Sequence, residues 1–220
     1  NLWDPWYRQY DLDPFPPDRS LKKWWKKFAG IEKPLYVRDD IDINIPPYLP
    51  DNNIVKEDMK RMYSNIVEMD DKVGLILDQL ENDGLLEETI IVWYTDHGGP
   101  LPRQKRLLYD SGIRVPMIIR YPNKEQAGEI DERLISFVDF APTLLSLVNL
   151  LPPQYQQGVA FEGKFRSPND RFYIHAAADR FDEHYDITRA VRDKHYKYLK
   201  NYNPDKPYYI PLEYRERMNT

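Results

Sequence analysis

The chain has 220 residues, of which 41% are hydrophobic and 14% aromatic, enough to build one substantial core and too apolar for a disordered polymer. A formal charge of -5 leaves no broad basic footprint, which argues against nucleic acid as a partner while allowing local cationic pockets. The absence of cysteine removes disulfides, thiolate metal sites and a cysteine nucleophile, and no apolar run approaches the roughly 20 residues of a membrane span.

Residues 1–52 are rich in Trp, Pro and Asp, with D-P-F-P-P at 13–17 and I-P-P-Y-L-P at 45–50. Repeated prolines preclude long regular elements there. Trp3, Trp6, Trp24 and Trp25 suit packing on a larger body, and Lys22, Lys23, Lys26 and Lys27 read as a solvated face beside them. The first residues lack the basic-then-apolar pattern of a signal peptide, and a start at Asn1 suggests a processed or partial chain.

From Val55 to Asn82, Met59, Met62, Ile66, Met69, Val73, Ile76, Leu77 and Leu80 recur at three- and four-residue steps, which predicts one amphipathic helix. Asp51, Asn52 or Asn53 can cap its start and Asp83-Gly84 can stop it. Glu68, Asp70 and Asp71 diverge on such a helix and read as solvated charge.

Thr89–Tyr94 is a β-branched apolar run of the kind found in a strand buried on both faces, and Val115–Tyr121 is a second. Leu134–Val138 is expected to be a third, followed by Asp139 and a helix with Pro142 near its first turn. Helix alternating with buried strand indicates α/β layering. After residue 153, the segments 171–176, 187–192 and 195–202 alternate apolar with polar residues around a turn at Asp193-Lys194, which predicts a small antiparallel unit.

Between the first two strands lies T-D-H-G-G-P-L-P-R-Q-K-R, at a strand end where open α/β sheets place ligand groups. Asp96 and His97 can turn toward one cation because Gly98 and Gly99 let the backbone bend sharply. In the other reading Asp96 caps a turn and His97 donates to a carbonyl. The nearby Arg103, Lys105 and Arg106 favour the metal, since cations beside one suit a substrate carrying a compact oxyanion. Two ligands fall short of the six or more of calcium or magnesium, so others must join. Arg114 is expected to pair with Asp110 or a carbonyl. Asp179, Arg180, Asp182 and Glu183, with His184 in the same polar stretch, suit sugar hydroxyls or an ordinary salt-bridged loop.

These segments together resemble the later part of type I sulfatases of the alkaline phosphatase superfamily. The resemblance rests on M-Y-S-N-I-V-E-M-D-D-K-V-G, G-L-L-E-E-T-I-I-V, T-D-H-G, Y-D-S-G-I-R-V-P-M-I-I-R-Y-P, D-F-A-P-T-L-L-S-L and A-V-R-D-K-H-Y-K-Y-L-K-N-Y, in the family's order over roughly 55–202. It implies an alkaline-phosphatase-like sheet sandwiched by helices, partly present over residues 1–160, then a small antiparallel α+β subdomain over 161–220. It further implies sulfate ester hydrolysis on a sulfated carbohydrate with one divalent cation, Ca²⁺ before Mg²⁺ or Mn²⁺. By this match Asp96 and His97 are paired metal ligands, although many members carry Asn where His97 stands, and Lys105 contacts the sulfate. The family's formylglycine arises from a C/S-x-P-x-R motif absent here, as are its early aspartate pair and upstream histidine. Family members run to about twice this length, so the remainder of the same polypeptide is expected to supply these parts, and this segment alone to be inactive. Periplasmic, secreted or lysosomal placement is the family's habit. A phosphodiester or phosphonate monoester hydrolase and a noncatalytic carbohydrate-binding relative are the alternatives.

Overall fold

Asn52 opens the first regular element by the device its sequence offers: its side-chain oxygen accepts the Val55 N–H at 3.0 Å, satisfying one of the first-turn donors. The helix that follows, α1 (Asn53–Asn82), runs 30 residues and ends at Gly84, whose φ of +70° lets Leu85 N–H reach back to the Leu80 carbonyl at 2.9 Å. Both the cap and the stop are as the sequence predicts. These coordinates come from a computed structural model that describes residues 42–181 and 184–205, with the side chains of Phe181 and His184 outside that description. The tryptophan-rich residues 1–41, with Trp3, Trp6, Trp24, Trp25 and the four lysines, lie outside it too, as do Asp182 and Glu183. By contacts the chain divides into two compact units, 1–71 and 72–220. In the first, Val55 and Met59 are buried, while Glu68, Asp70 and Asp71 are exposed.

The second unit holds the remaining elements: β1 (Ile91–Tyr94), the one-turn α2 (Asp110–Ile113), β2 (Met117–Arg120), α3 (Phe140–Leu147), β3 (Ile174–Phe181), β4 (His184–Arg192) and β5 (Lys197–Asn201). β1 and β2 pair antiparallel, Val92 opposite Ile119, and β3, β4 and β5 form a three-stranded antiparallel sheet in that order. The apolar runs at 89–94 and 115–121 are therefore strands as expected, but not ones buried on both faces, for Ile118 is 62% exposed. One face of the β1–β2 ribbon does meet α3, where Tyr94 and Phe140 stack edge-on at 4.9 Å and Phe137 meets Phe140 at the same distance.

The expected third strand at Leu134–Val138 is a correction. Only Leu134 makes a bridge, antiparallel to Arg171, and Phe137–Asp139 is a turn of 3₁₀ helix. Ser136 and Asp139 cap each other across that turn, a reciprocal closure that wins over β-propensity. The Asp139 carboxylate is 2% exposed and fully used. It accepts N–H bonds from Ser136 at 3.1 Å and Val159 at 3.0 Å, and Arg171 clamps it with two nitrogens. Thr143, one turn on, donates to the Asp139 carbonyl and accepts from Phe161 N–H. One buried carboxylate thus fixes residues 136, 159 and 171 around the start of α3.

Removing it leaves the Arg171 guanidinium without its partner. Asp139→Ala in the intact protein is expected to cost about 3 kcal/mol by urea denaturation, and a loss below about 1 kcal/mol contradicts this network's role.

Candidate active site

β1 ends at Tyr94, and the chain then folds into a loop that carries five of the predicted site residues: Asp96, His97, Arg103, Lys105 and Arg106. Backbone bonds close it, Gly98 N–H to the Gly112 carbonyl at 2.9 Å and Lys105 N–H to the Gly99 carbonyl at 3.0 Å. The second bond sets Lys105 directly against the D-H-G-G turn. Gly98 is required by close approach, since a Cβ there would stand 1.8 Å from the Ser111 carbonyl oxygen. Arg103 and Arg106 both take left-handed backbone angles, φ of 63° and 73°, uncommon for non-glycine residues and frequent at ligand-binding turns. Ser111 Oγ donates to the Arg103 carbonyl, and the Arg103 guanidinium lies 4.7 Å from the Tyr109 ring centre.

The His97 ring states its own tautomer. Nδ1 lies 2.8 Å from the Gly98 carbonyl oxygen, which can only accept, so Nδ1 carries the proton. In the neutral ring Nε2 then bears a lone pair, and it stands 3.4 Å from the Asp96 carboxylate. Two acceptors face each other there. A divalent cation reconciles them, as does a second proton on the ring. The side chains are 83% and 38% exposed for Asp96 and His97, open enough for further ligands to join. Among the described residues no group of three or more His, Cys, Asp or Glu could hold a metal. Asp96 and His97 offer one carboxylate and one imidazole, part of a divalent cation's ligand set: the carboxylate suits calcium or magnesium and the imidazole suits transition metals.

What seats this loop is a set of contacts that the residue patterns did not point to. Leu101, Leu107 and Leu108 are buried, and Leu108 packs on Ala178 of β3 and Ala190 of β4. Asp110 takes Lys197 of β5 at 2.9 Å and also Arg192 of β4, residues that face each other across the hairpin. Arg114, expected to pair with Asp110 or a carbonyl, gives its backbone N–H to the Asp110 carbonyl. The register Arg192 opposite Lys197 follows from the Asp193-Lys194 turn, where Asp193 accepts the N–H groups of His195 and Tyr196, so the paired cations were within reach of the sequence.

The remaining candidates lie on the sheet. Asp179 of β3 pairs with Arg189 of β4, and Arg180 stands opposite Tyr185. The polar loop expected around 179–186 is mostly strand, since cross-strand pairing carries β3 to Phe181 and resumes at His184. His184 is placed at the start of β4, with its side chain outside the described set.

Two family models match. One described as Sulfatase covers residues 17–150, and one described as N-sulphoglucosamine sulphohydrolase, C-terminal, covers 103–211. An ulvan-active sulfatase of Formosa agariphila is 59% identical over 194 residues, 88% of this chain and 32% of that protein. Human N-sulphoglucosamine sulphohydrolase is 25% identical over 187 residues, 80% of this chain and 37% of its own. The chain therefore spans about a third of these relatives' length rather than the expected half. A solved structure of a protein with its substrate D-glucosamine-2-N,6-O-disulfate matches with TM-score 0.59 at 28% identity, covering 67% of this chain and 32% of that one.

Burial pushes the Asp110 carboxyl up, but the hydrogen bonds and charges of Lys197 and Arg192 outweigh it and hold it below its ordinary value. A depressed carboxylate contributes stability above its unfolded pKa and loses it as pH falls through the folded one. The stability gap between the intact protein and its Asp110→Asn variant should be full above about pH 4 and close below it. Denaturation midpoints taken from pH 7 downward test this, and a gap that ignores pH contradicts it.

Proposed function

Given that the chain belongs to the sulfatase family, with the family's alkaline-phosphatase-like α/β fold, we propose that the whole protein hydrolyses sulfate esters of a sulfated carbohydrate. The observation that carries the reading is the loop after β1, where Asp96, His97 and Lys105 are brought to one turn by the bond from Lys105 N–H to the Gly99 carbonyl. Sulfated sugars are supported as the substrate class by the relatives, one of them ulvan-active and one structure holding a disulfated glucosamine. Residues 1–160 then belong to the catalytic domain and 161–220 to a small antiparallel subdomain, a division supported by the position of β3, β4 and β5.

In this reading Asp96 and His97 hold a divalent cation, Ca²⁺ before Mg²⁺ or Mn²⁺, with ligands from the remainder of the polypeptide. When bound, the cation supplies positive charge against the sulfate oxygens. Lys105 places its ammonium on the same oxyanion, and its stabilisation counts most as negative charge develops during S–O cleavage. Arg103 and Arg106 add positive potential around the turn. Asp179, Arg180 and His184 offer groups suited to sugar hydroxyls. The nucleophile, a formylglycine by family, belongs to sequence outside this chain, so residues 1–220 alone release no sulfate. His97 favours one second reading, a phosphodiester or phosphonate monoester hydrolase with the same loop, because imidazole is a common ligand of transition metals.

Lys105→Ala in the intact protein should lower kcat/KM for a sulfated sugar about 10²- to 10³-fold and leave the melting temperature nearly unchanged. Parallel losses of activity and melting temperature would make Lys105 structural. Asp96→Ala should strip the metal, as read by elemental analysis, and unchanged metal content overturns its assignment.

A further inference from the structure

The sheet of β3, β4 and β5 uses one face for the core, where Ala178 and Ala190 meet Leu108. Strand alternation sends the other residues outward: His175 on β3, Arg189 on β4, and Tyr198 and Lys200 on β5. Tyr202 extends the same row, its N–H bonded to the Ile187 carbonyl at 2.9 Å. The Lys200 ammonium lies 4.6 Å from the Tyr202 ring centre, and Lys200 stands directly opposite Arg189.

Three tyrosines along this edge are open to solvent, Tyr196 at 79%, Tyr198 at 63% and Tyr202 at 50%. Among the described residues these rings are not buried, and exposed aromatic surface suits an interaction site. The chemistry selects the partner. Tyr198 and Tyr202 are four residues apart on one face, about 13 Å, which gives two flat rings for the C–H faces of sugars along a polymer. Between them the middle row carries Lys200 and Arg189, of which Arg189 is shared with Asp179. On a chain of net charge -5, a face with two cations and one carboxylate lowers the repulsion that a polyanion meets.

We propose that the outer face of β3, β4 and β5 is a second binding surface, which holds a sulfated polysaccharide through Tyr198, Tyr202 and Lys200. It rests on the sulfated-carbohydrate reading above and adds a surface outside the Asp96 loop that retains polymer.

The test is affinity electrophoresis of the intact protein through gels containing ulvan or chemically desulfated ulvan, alongside sulfate release from a sulfated monosaccharide. Two variants are compared, Lys200→Glu at an exposed position, and the pair Tyr198→Ser with Tyr202→Ser. Both should weaken retardation by sulfated ulvan about tenfold, roughly 1.4 kcal/mol, with monosaccharide turnover and oligomeric mass unchanged. Retardation equal to wild type in both variants overturns the proposal, as does a change of oligomeric mass, which would make the face a contact between copies. Retardation lost on mutation in a protein that releases no sulfate from any ester supports the surface and removes the catalytic reading instead.

Discussion

Leu108 and Asp110 join the loop after β1 to the three-stranded sheet, and the placement of every candidate catalytic group on this chain depends on that joint. Leu108 supplies most of the energy. Burying a leucine contributes about 2 kcal/mol, whereas an ion pair as exposed as that of Asp110 contributes at most about 1 kcal/mol. What Asp110 adds is direction, since its carboxylate is held by Arg192 and Lys197 from two adjoining strands and cannot follow α2 if α2 shifts. The Gly98 to Gly112 bond then passes this constraint to the turn carrying Asp96 and His97, at a separation that leaves no room for a Cβ.

The two anchoring carboxylates of this unit work differently. Asp139 is buried and saturated, so its loss leaves unpaired partners inside the protein. Asp110 is half open to water, so its contribution follows pH and salt. Asp96 differs from both. Its side chain is 83% exposed, and the His97 Nε2 stands 3.4 Å from it while Nδ1 of that ring faces the Gly98 carbonyl.

Much of this was legible in the residues. The cap at Asn52, the stop at Gly84, both hydrophobic strands, Pro142 in the first turn of α3 and the Asp193-Lys194 hairpin follow from local chemistry, and the structure keeps each. The loop at 95–106 was identifiable because acid, imidazole and cations follow a strand end. Non-local competition accounts for the failures. Leu134–Val138 has strand-forming residues, but the closure between Ser136 and Asp139, backed by Arg171 more than 30 residues away, curls it into a turn. The side-chain partners of Asp110, Arg192 and Lys197, come from strands about 80 residues on. The expected loop around His184 became strand for the same reason, since pairing between β3 and β4 is a long-range choice.

The role proposed for the Asp96, His97 and Lys105 loop is to serve a sulfate ester. Its most direct test is the kcat/KM of the intact protein on a matched pair, one sugar carrying either sulfate or phosphate at the same hydroxyl, with the Lys105→Ala variant run beside it. A loop that serves a sulfate ester gives faster hydrolysis of the sulfate and loss of most of that rate in the variant. Faster hydrolysis of the phosphate, or a sulfate rate indifferent to Lys105, would contradict it.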